Sequence, residues 1–132
     1  MSSYLNLADL LGDESVVRPE QLDRYAVDGL VPQVVVQPAD RDGVAQALRW
    51  ASAEGRAVFL RGGGTQLCLG NVPSRIDLVL DLSRCNRLLD YQPADMTATV
   101  EAGITLESLQ QELAAKGQFV PLEAALWEKA TI

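Results

Sequence analysis

Apolar and polar positions along the chain alternate between two periods, and the first to appear is helical. Leu5 to Leu11 carries apolar residues at helix spacing, and "RPEQLDRYAVDGL" restarts a helix with Pro19 in its first turn. Both read as surface helices ahead of the core, so residues 1–31 form an N-terminal helical segment. The pattern then changes. "PQVVVQP" is a β-branched run bracketed by Pro32 and Pro38, which predicts a short buried strand. Asp40 caps a helix with Val44, Ala47, Leu48 and Ala51 on one face, and Gly55 closes it. "AVFLR" supplies the next strand, so this stretch predicts a parallel βαβ unit, with Phe59 to Arg61 extended and Gly62 to Gly64 a loop holding at least one glycine at positive φ.

"IDLVLDLS" predicts another strand. "RLLDYQP" and "DMTATVEAG" flank a turn at Gln92 to Asp95, and in the second of them Met96, Ala98, Val100 and Ala102 alternate with Thr97, Thr99 and Glu101. Alternation at period two predicts an antiparallel hairpin pairing Leu88–Tyr91 with Thr97–Glu101, with Met96, Ala98 and Val100 facing inward. Thr105 opens a helix whose inner face is Leu106, Leu109 and Leu113, Gly117 closes it, and "QFVPL" begins a last strand. The fold class is α+β, a βαβ unit followed by antiparallel strands and a helix. Two small α+β subdomains are expected, residues 32–71 with the glycine-rich loop and residues 72–132.

Composition narrows the chemistry. The chain has 132 residues, 48% hydrophobic and 22% charged, which suits a water-soluble globular protein. A net charge of -7 with 11 Lys and Arg argues against a nucleic-acid surface, which needs clustered cations to neutralise phosphates. The absence of histidine excludes His-based acid–base chemistry, Ser-His-Asp and Cys-His nucleophiles, and His-ligated metals. "MSSYLNLADLLGDES" has neither a basic start nor a continuous apolar core, so a cytoplasmic location without a transmembrane segment is expected. Cys68 and Cys85 lack metal-type spacing and read as two buried thiols rather than a disulfide.

The candidate chemistry lies in "FLRGGGTQLCLGN". A Walker loop requires Gly-Lys-Ser/Thr after four residues, and no lysine follows Gly70. The dinucleotide fingerprint requires a third glycine entering a helix, where Leu67 stands instead, before Gly70 and Pro73. What remains is a run of backbone N–H groups that can form a concave anion nest, or a tight turn between strands with no ligand. Spacing alone leaves both open.

The whole pattern of blocks resembles a known family. "RGGGTQLCLGN", then "IDLVLDLSRCNRLLDYQPADMTATVEAGITLESLQQELAAKGQFVPLE" and "ATI" are similar to the PCMH-type FAD-binding domain of the vanillyl-alcohol-oxidase-like flavoproteins, and within it to the FAD-binding subunits of glycolate-oxidase type. The likeness runs from about Tyr25 to Ile132. It implies noncovalent FAD between two subdomains, with the pyrophosphate on Arg61, Gly62, Gly63, Gly64, Thr65, Gln66 and Leu67 and the contact continuing to Gly70 and Asn71. It also implies that Ala102, Gly103 and Ile104 reach the same cofactor, and that Thr131 and Ile132 begin a further cofactor loop. On this reading Gly63→Val excludes the pyrophosphate while the fold persists.

The implied activity is flavin-dependent oxidation of a 2-hydroxy acid such as glycolate, in company with other subunits of an oxidase complex. No side chain of this chain stands out as a catalytic base. In the family, "ATI" is followed by more glycines and a substrate-side domain, and "PLEAALWEKATI" departs from the expected proline-rich stretch, so a shortened or degenerate copy is expected. The alternative function is a fold-keeping assembly module that binds no flavin, with self-association through an uncovered core.

Overall fold

The computed structural model describes residues 2–132, with side chains from Leu7 onward. Helix α1 (Ser2–Leu11) and a 3-10 stretch at Pro19–Tyr25 lead into strand β1 (Val34–Val36), helix α2 (Arg41–Ala53) and strand β2 (Val58–Arg61). Strands β3 (Leu78–Asp81), β4 (Leu88–Gln92) and β5 (Thr97–Val100) follow, and helix α3 (Leu106–Ala114) is the last element. Among the described residues no helix is long and apolar enough to cross a membrane.

β1, β3 and β2 form one parallel sheet in that spatial order, with Val34, Val35 and Val36 opposite Leu78, Val79 and Leu80. β1 and β2 are parallel as the βαβ pattern predicts, but β3 lies between them. The change from parallel sheet to hairpin therefore falls after Asp81 rather than near Asn71, because β3 is buried at every position and occupies the doubly covered centre. Val34, Val36, Leu78 and Leu80 pack under Leu7, Ala8, Ala47 and Ala51, while Val35 and Val79 face Val17, Val27 and Ile76. This two-sided burial explains why "VVV" and "LVL" are continuous apolar runs.

Several expectations change. α1 is part of the core rather than a surface helix, with Leu7 fully buried against the sheet cluster; the facing of Leu5 lies outside the described side chains. Pro19 does occupy the first turn of its segment, but that segment is 3-10 and its residues are not buried. Asp40 caps α2, its Oδ1 accepting from the Gly43 amide at 2.9 Å, and Ala47 and Ala51 face inward. Leu48 is 42% exposed, because the sheet beneath is filled by the smaller side chains.

β4 and β5 pair antiparallel with Tyr91 opposite Ala98 and Gln92 opposite Thr97. Met96 is not in the strand. It takes a left-handed φ of 54° at the turn and is 82% exposed. Met96, Ala98 and Val100 do share one side with Tyr91, Leu109, Leu113 and Val120, around an apolar cleft of about 490 Å³. That face is the expected one, but it is open, so Ala98 is exposed and only Val100 is half-buried.

α3 is capped by Thr105, whose Oγ1 accepts from the Ser108 amide at 3.1 Å, and buries Leu106, Leu109 and Leu113. Gln118–Leu122 is not a strand. The Gln110 side-chain amide meets both backbone groups of Val120, donating to its oxygen at 2.6 Å and accepting from its N–H at 3.1 Å, and so takes the place of a sheet neighbour.

Glu101 fixes the end of the hairpin nearest the loop after it. Its carboxylate accepts from the Arg87 backbone N–H at 2.8 Å, from Nε at 3.1 Å and from Nη2 at 2.7 Å. The side-chain bonds from Arg87, then the backbone bond, hold this carboxyl below its ordinary range. A carboxyl lowered on folding stabilises fully above its unfolded pKa, about 4.3, and loses that contribution as pH falls through the folded value. Glu101→Gln is thus expected to lower Tm at neutral pH, with the difference from wild type shrinking below about pH 4. A constant difference across an acid series of melting curves would contradict the assignment.

Candidate functional site

In a parallel sheet all strands end on one side, and ligands collect in the crevice there because the loops diverge and backbone groups are left unpaired. The carboxyl ends of β1, β2 and β3 lead into Gln37–Asp40, Gly62–Gln66 and Leu82–Asn86. At this edge lies a cavity of about 510 Å³, walled by Gly63, Ser83, Asn86, Gly103, Thr105, Ser108, Glu128, Lys129 and Thr131. It joins the parallel sheet to the hairpin and α3. Its walls are hydroxyl, amide and backbone groups together with the charged residues Lys129 and Glu128, of which the lysine and the hydroxyl and amide donors suit an anionic group and the carboxylate opposes one.

The glycine-rich loop is an irregular segment with Gly64 at φ 69°, and no α-helix begins in it, as expected. A single 3-10 turn forms at Leu67–Leu69. The amides of Gly62, Gly64, Thr65 and Gln66 have no acceptor among the described residues. The Gly63 amide donates to Thr131 Oγ1 at 3.3 Å. Close packing explains two of the glycines: a Cβ on Gly62 would strike Thr131 Oγ1, and one on Gly63 would strike the Lys129 carbonyl oxygen.

The "ATI" segment is therefore built into this site. Ala130 O accepts from Leu106 N at 2.9 Å, Ile132 N donates to Ile104 O at 3.2 Å, and Thr131 bridges Thr105. Gly103 is buried on the opposite wall, its N–H donating to Cys85 O at 2.8 Å, and a Cβ there would strike the Leu82 carbonyl oxygen.

Of the residues singled out in the sequence, Gly63, Gly103 and Thr131 meet at this cavity, with Gly62 against Thr131. Ile104 is 3% exposed and packs with Leu109 and Leu113, so its side chain serves the core. Leu67 packs beside Val35 and Val79. Ala102, Gly70 and Asn71 are exposed and do not line the cavity, and Ile132 lines the apolar cleft instead. Thr65 and Gln66 stay in the loop with free amides. Sequence reasoning missed Ser83, Asn86 and Ser108. The first two were marked only by their place just past a parallel strand, and Ser108 only by the α3 cap.

Arg61 turns away from the cavity. Its guanidinium carbon stands 4.7 Å from the centre of the Tyr25 ring, and Nη1 donates to Arg24 O at 3.1 Å. The Tyr25 hydroxyl accepts from Gln37 Nε2 at 3.1 Å, and the same amide nitrogen donates to the buried Asp81 carboxylate at 2.9 Å. Burial, then the nearby Asp81 charge, pushes the Tyr25 phenol up, so the ring stays neutral beside Arg61 at physiological pH. No disulfide forms: Cys85 is buried with its thiol donating to Pro38 O at 3.3 Å, whereas Cys68 is exposed because the 3-10 turn carrying it lies on the surface.

Comparison with known proteins agrees with this geometry. The family model described as "FAD binding domain" matches residues 32–132. D-2-hydroxyglutarate dehydrogenase of Xanthomonas citri pv. viticola is 36% identical over 112 residues, 81% of this chain and 24% of that protein. Glycolate oxidase subunit GlcD of Bacillus subtilis is 29% identical over 102 residues, 77% of this chain and 22% of its own length. Among solved structures, p-cresol methylhydroxylase with substrate bound shares the fold at a TM-score of 0.73 and 20% identity, covering 87% of this chain and 24% of that one. The chain thus spans about a quarter of the length of the proteins it matches.

Proposed function

The chain belongs to the FAD binding domain family, and on that premise we propose that it is the FAD-holding module of an oxidoreductase acting on 2-hydroxy acids. The observation that carries the reading is the junction cavity. It brings Gly63 of the glycine-rich loop, the hydroxyl residues Ser83, Thr105, Ser108 and Thr131, the Asn86 amide and the charged Lys129 and Glu128 around one space. The cofactor's pyrophosphate fits that chemistry, because N–H and O–H donors compensate a dianion inside a chain of net charge -7.

Gly62 and Gly63 let residues 129–131 close against the loop, Gly64 gives it a left-handed turn, Gly103 keeps the opposite wall close, and Ser83 and Asn86 extend the polar lining. These residues contain no histidine through which a flavin could be attached, and noncovalent FAD is the proposed mode of binding. Once bound, the flavin supplies the electron-accepting chemistry, and the protein supplies position and electrostatics. The 2-hydroxy acid specificity rests on relatives whose names include a D-2-hydroxyglutarate dehydrogenase and a glycolate oxidase subunit. Substrate-side groups come from outside these residues, including other subunits of an oxidase complex, and the cytoplasm is the proposed compartment.

Titration of the 132-residue chain with FAD, FMN and riboflavin, read by flavin fluorescence, tests the assignment. FAD is expected to bind at least about tenfold more tightly than riboflavin, the difference being the phosphate contacts. Equal affinities would remove the pyrophosphate from the cavity. Absence of binding by any of the three would show that these residues do not hold the flavin by themselves and would favour the fold-keeping assembly module for them.

A further inference from the structure

The family match begins at residue 32, yet the glycine-rich loop is held by residues that precede it. Arg61 ends β2 and is followed directly by Gly62. Its guanidinium folds back between the Tyr25 ring on one side and the loop backbone on the other. A Cβ on Gly64 would lie 2.8 Å from Arg61 Nη2 and 2.9 Å from Nε. Tyr25 is itself anchored, because its ring packs with the cluster of Val17, Val27, Val35 and Val79 and its hydroxyl is held by Gln37. An anchored ring, a cation and a left-handed glycine are stacked in that order.

We infer that Tyr25 is a positioning residue for the glycine-rich loop: it clamps the Arg61 guanidinium against Gly64 and so fixes the loop in the form that presents its free amides to a ligand. Arg61 in this arrangement acts on the loop's shape and not on the phosphates. The ring–cation contact carries the clamp, since an aromatic face attracts a guanidinium electrostatically whether or not the ring bears a hydroxyl. The loop half of the inference stands on geometry alone, and the ligand half rests on the proposed function.

The two halves separate in one experiment on the whole chain. Exchange of the Gly63 amide, the loop N–H that donates to Thr131 Oγ1, reports the loop without flavin, exchange in β3 reports the fold, and FAD titration reports the site. Tyr25→Leu is expected to speed loop exchange about tenfold and weaken FAD about tenfold while β3 stays protected. Tyr25→Phe, which keeps the ring, is expected to stay within about twofold of wild type in both.

Arg61→Met approaches the same contact from a half-exposed side chain and serves if Tyr25→Leu loses β3 protection. It should release the loop to the same extent, and the double variant should be no worse than either single one. Unchanged loop exchange in Arg61→Met, or a Tyr25→Phe protein as loose as Tyr25→Leu, would overturn the clamp. Loosened exchange in a chain that binds no FAD even as wild type would support the clamp and overturn the proposed function.

Discussion

Gly103→Ala is expected to cost about 3 kcal/mol or more of stability, a drop of about 10 °C in Tm. Gly103 does not need a left-handed φ; what it needs is the absence of a side chain. A methyl group here would run into the Leu82 carbonyl oxygen and lie 2.7 Å from that of Cys85, and both obstacles are backbone. Flexible side chains move out of the way at little cost, but these carbonyls are fixed. Arg61 O accepts from Leu82 N at 2.8 Å, and Cys85 O takes the Gly103 amide at the same distance.

The substitution therefore either breaks the 82–85 turn off the end of β3 or pushes the 101–104 loop away from it. Either outcome separates the parallel sheet from the hairpin. Thermal unfolding of Gly103→Ala beside Gly70→Ala checks this, since nothing lies within 4 Å of a Cβ on Gly70. A Gly103→Ala protein that melts with wild type would show that the two units are not held together at this point.

Much of this architecture is legible in the sequence wherever the determining contacts are local. Asp40 and Thr105 announce their helices because a cap acts three residues away, and the hairpin is readable because its turn is short. The position of β3 between β1 and β2 is a non-local pairing, and a continuous apolar run says that a strand is buried without saying between which neighbours. The "QFVPL" run has strand-like composition, but Gln110 from the adjacent helix satisfies its backbone instead.

The site divides in the same way. The glycines at 62–64 stand out in the sequence, and so does the block around Gly103. The reason for Gly63 does not, because the atom that excludes its side chain belongs to Lys129, and the hydroxyl that accepts its amide hydrogen bond lies 68 residues away. Arg61 beside three glycines suggests a phosphate partner, and only the folded chain reveals that Tyr25 occupies its guanidinium.

Gly63→Ala is expected to weaken FAD at least about tenfold and to loosen the end of the chain. The family resemblance implies that a side chain at this position would meet the pyrophosphate and leave the fold untouched. The structure places the Lys129 carbonyl directly in the path of a Cβ, so even a methyl group must displace residues 129–131. That displacement removes Thr131 from the loop amide, pulls Ala130 from its 5% exposed seat and frees the Leu106 amide that caps onto it.

The cavity loses a wall, and with it the contacts proposed for the flavin. The two effects can be told apart with Thr131→Val, which keeps the shape of the side chain but removes its hydroxyl. If the hydroxyl acts mainly on the ligand and loop amide, Thr131→Val weakens FAD while exchange at residues 104–106 and 129–132 stays close to wild type. In Gly63→Ala both change together. Unaltered FAD affinity and unaltered exchange in Gly63→Ala would show that the loop and the "ATI" segment can separate without consequence, and the cavity between them could then not be the flavin site.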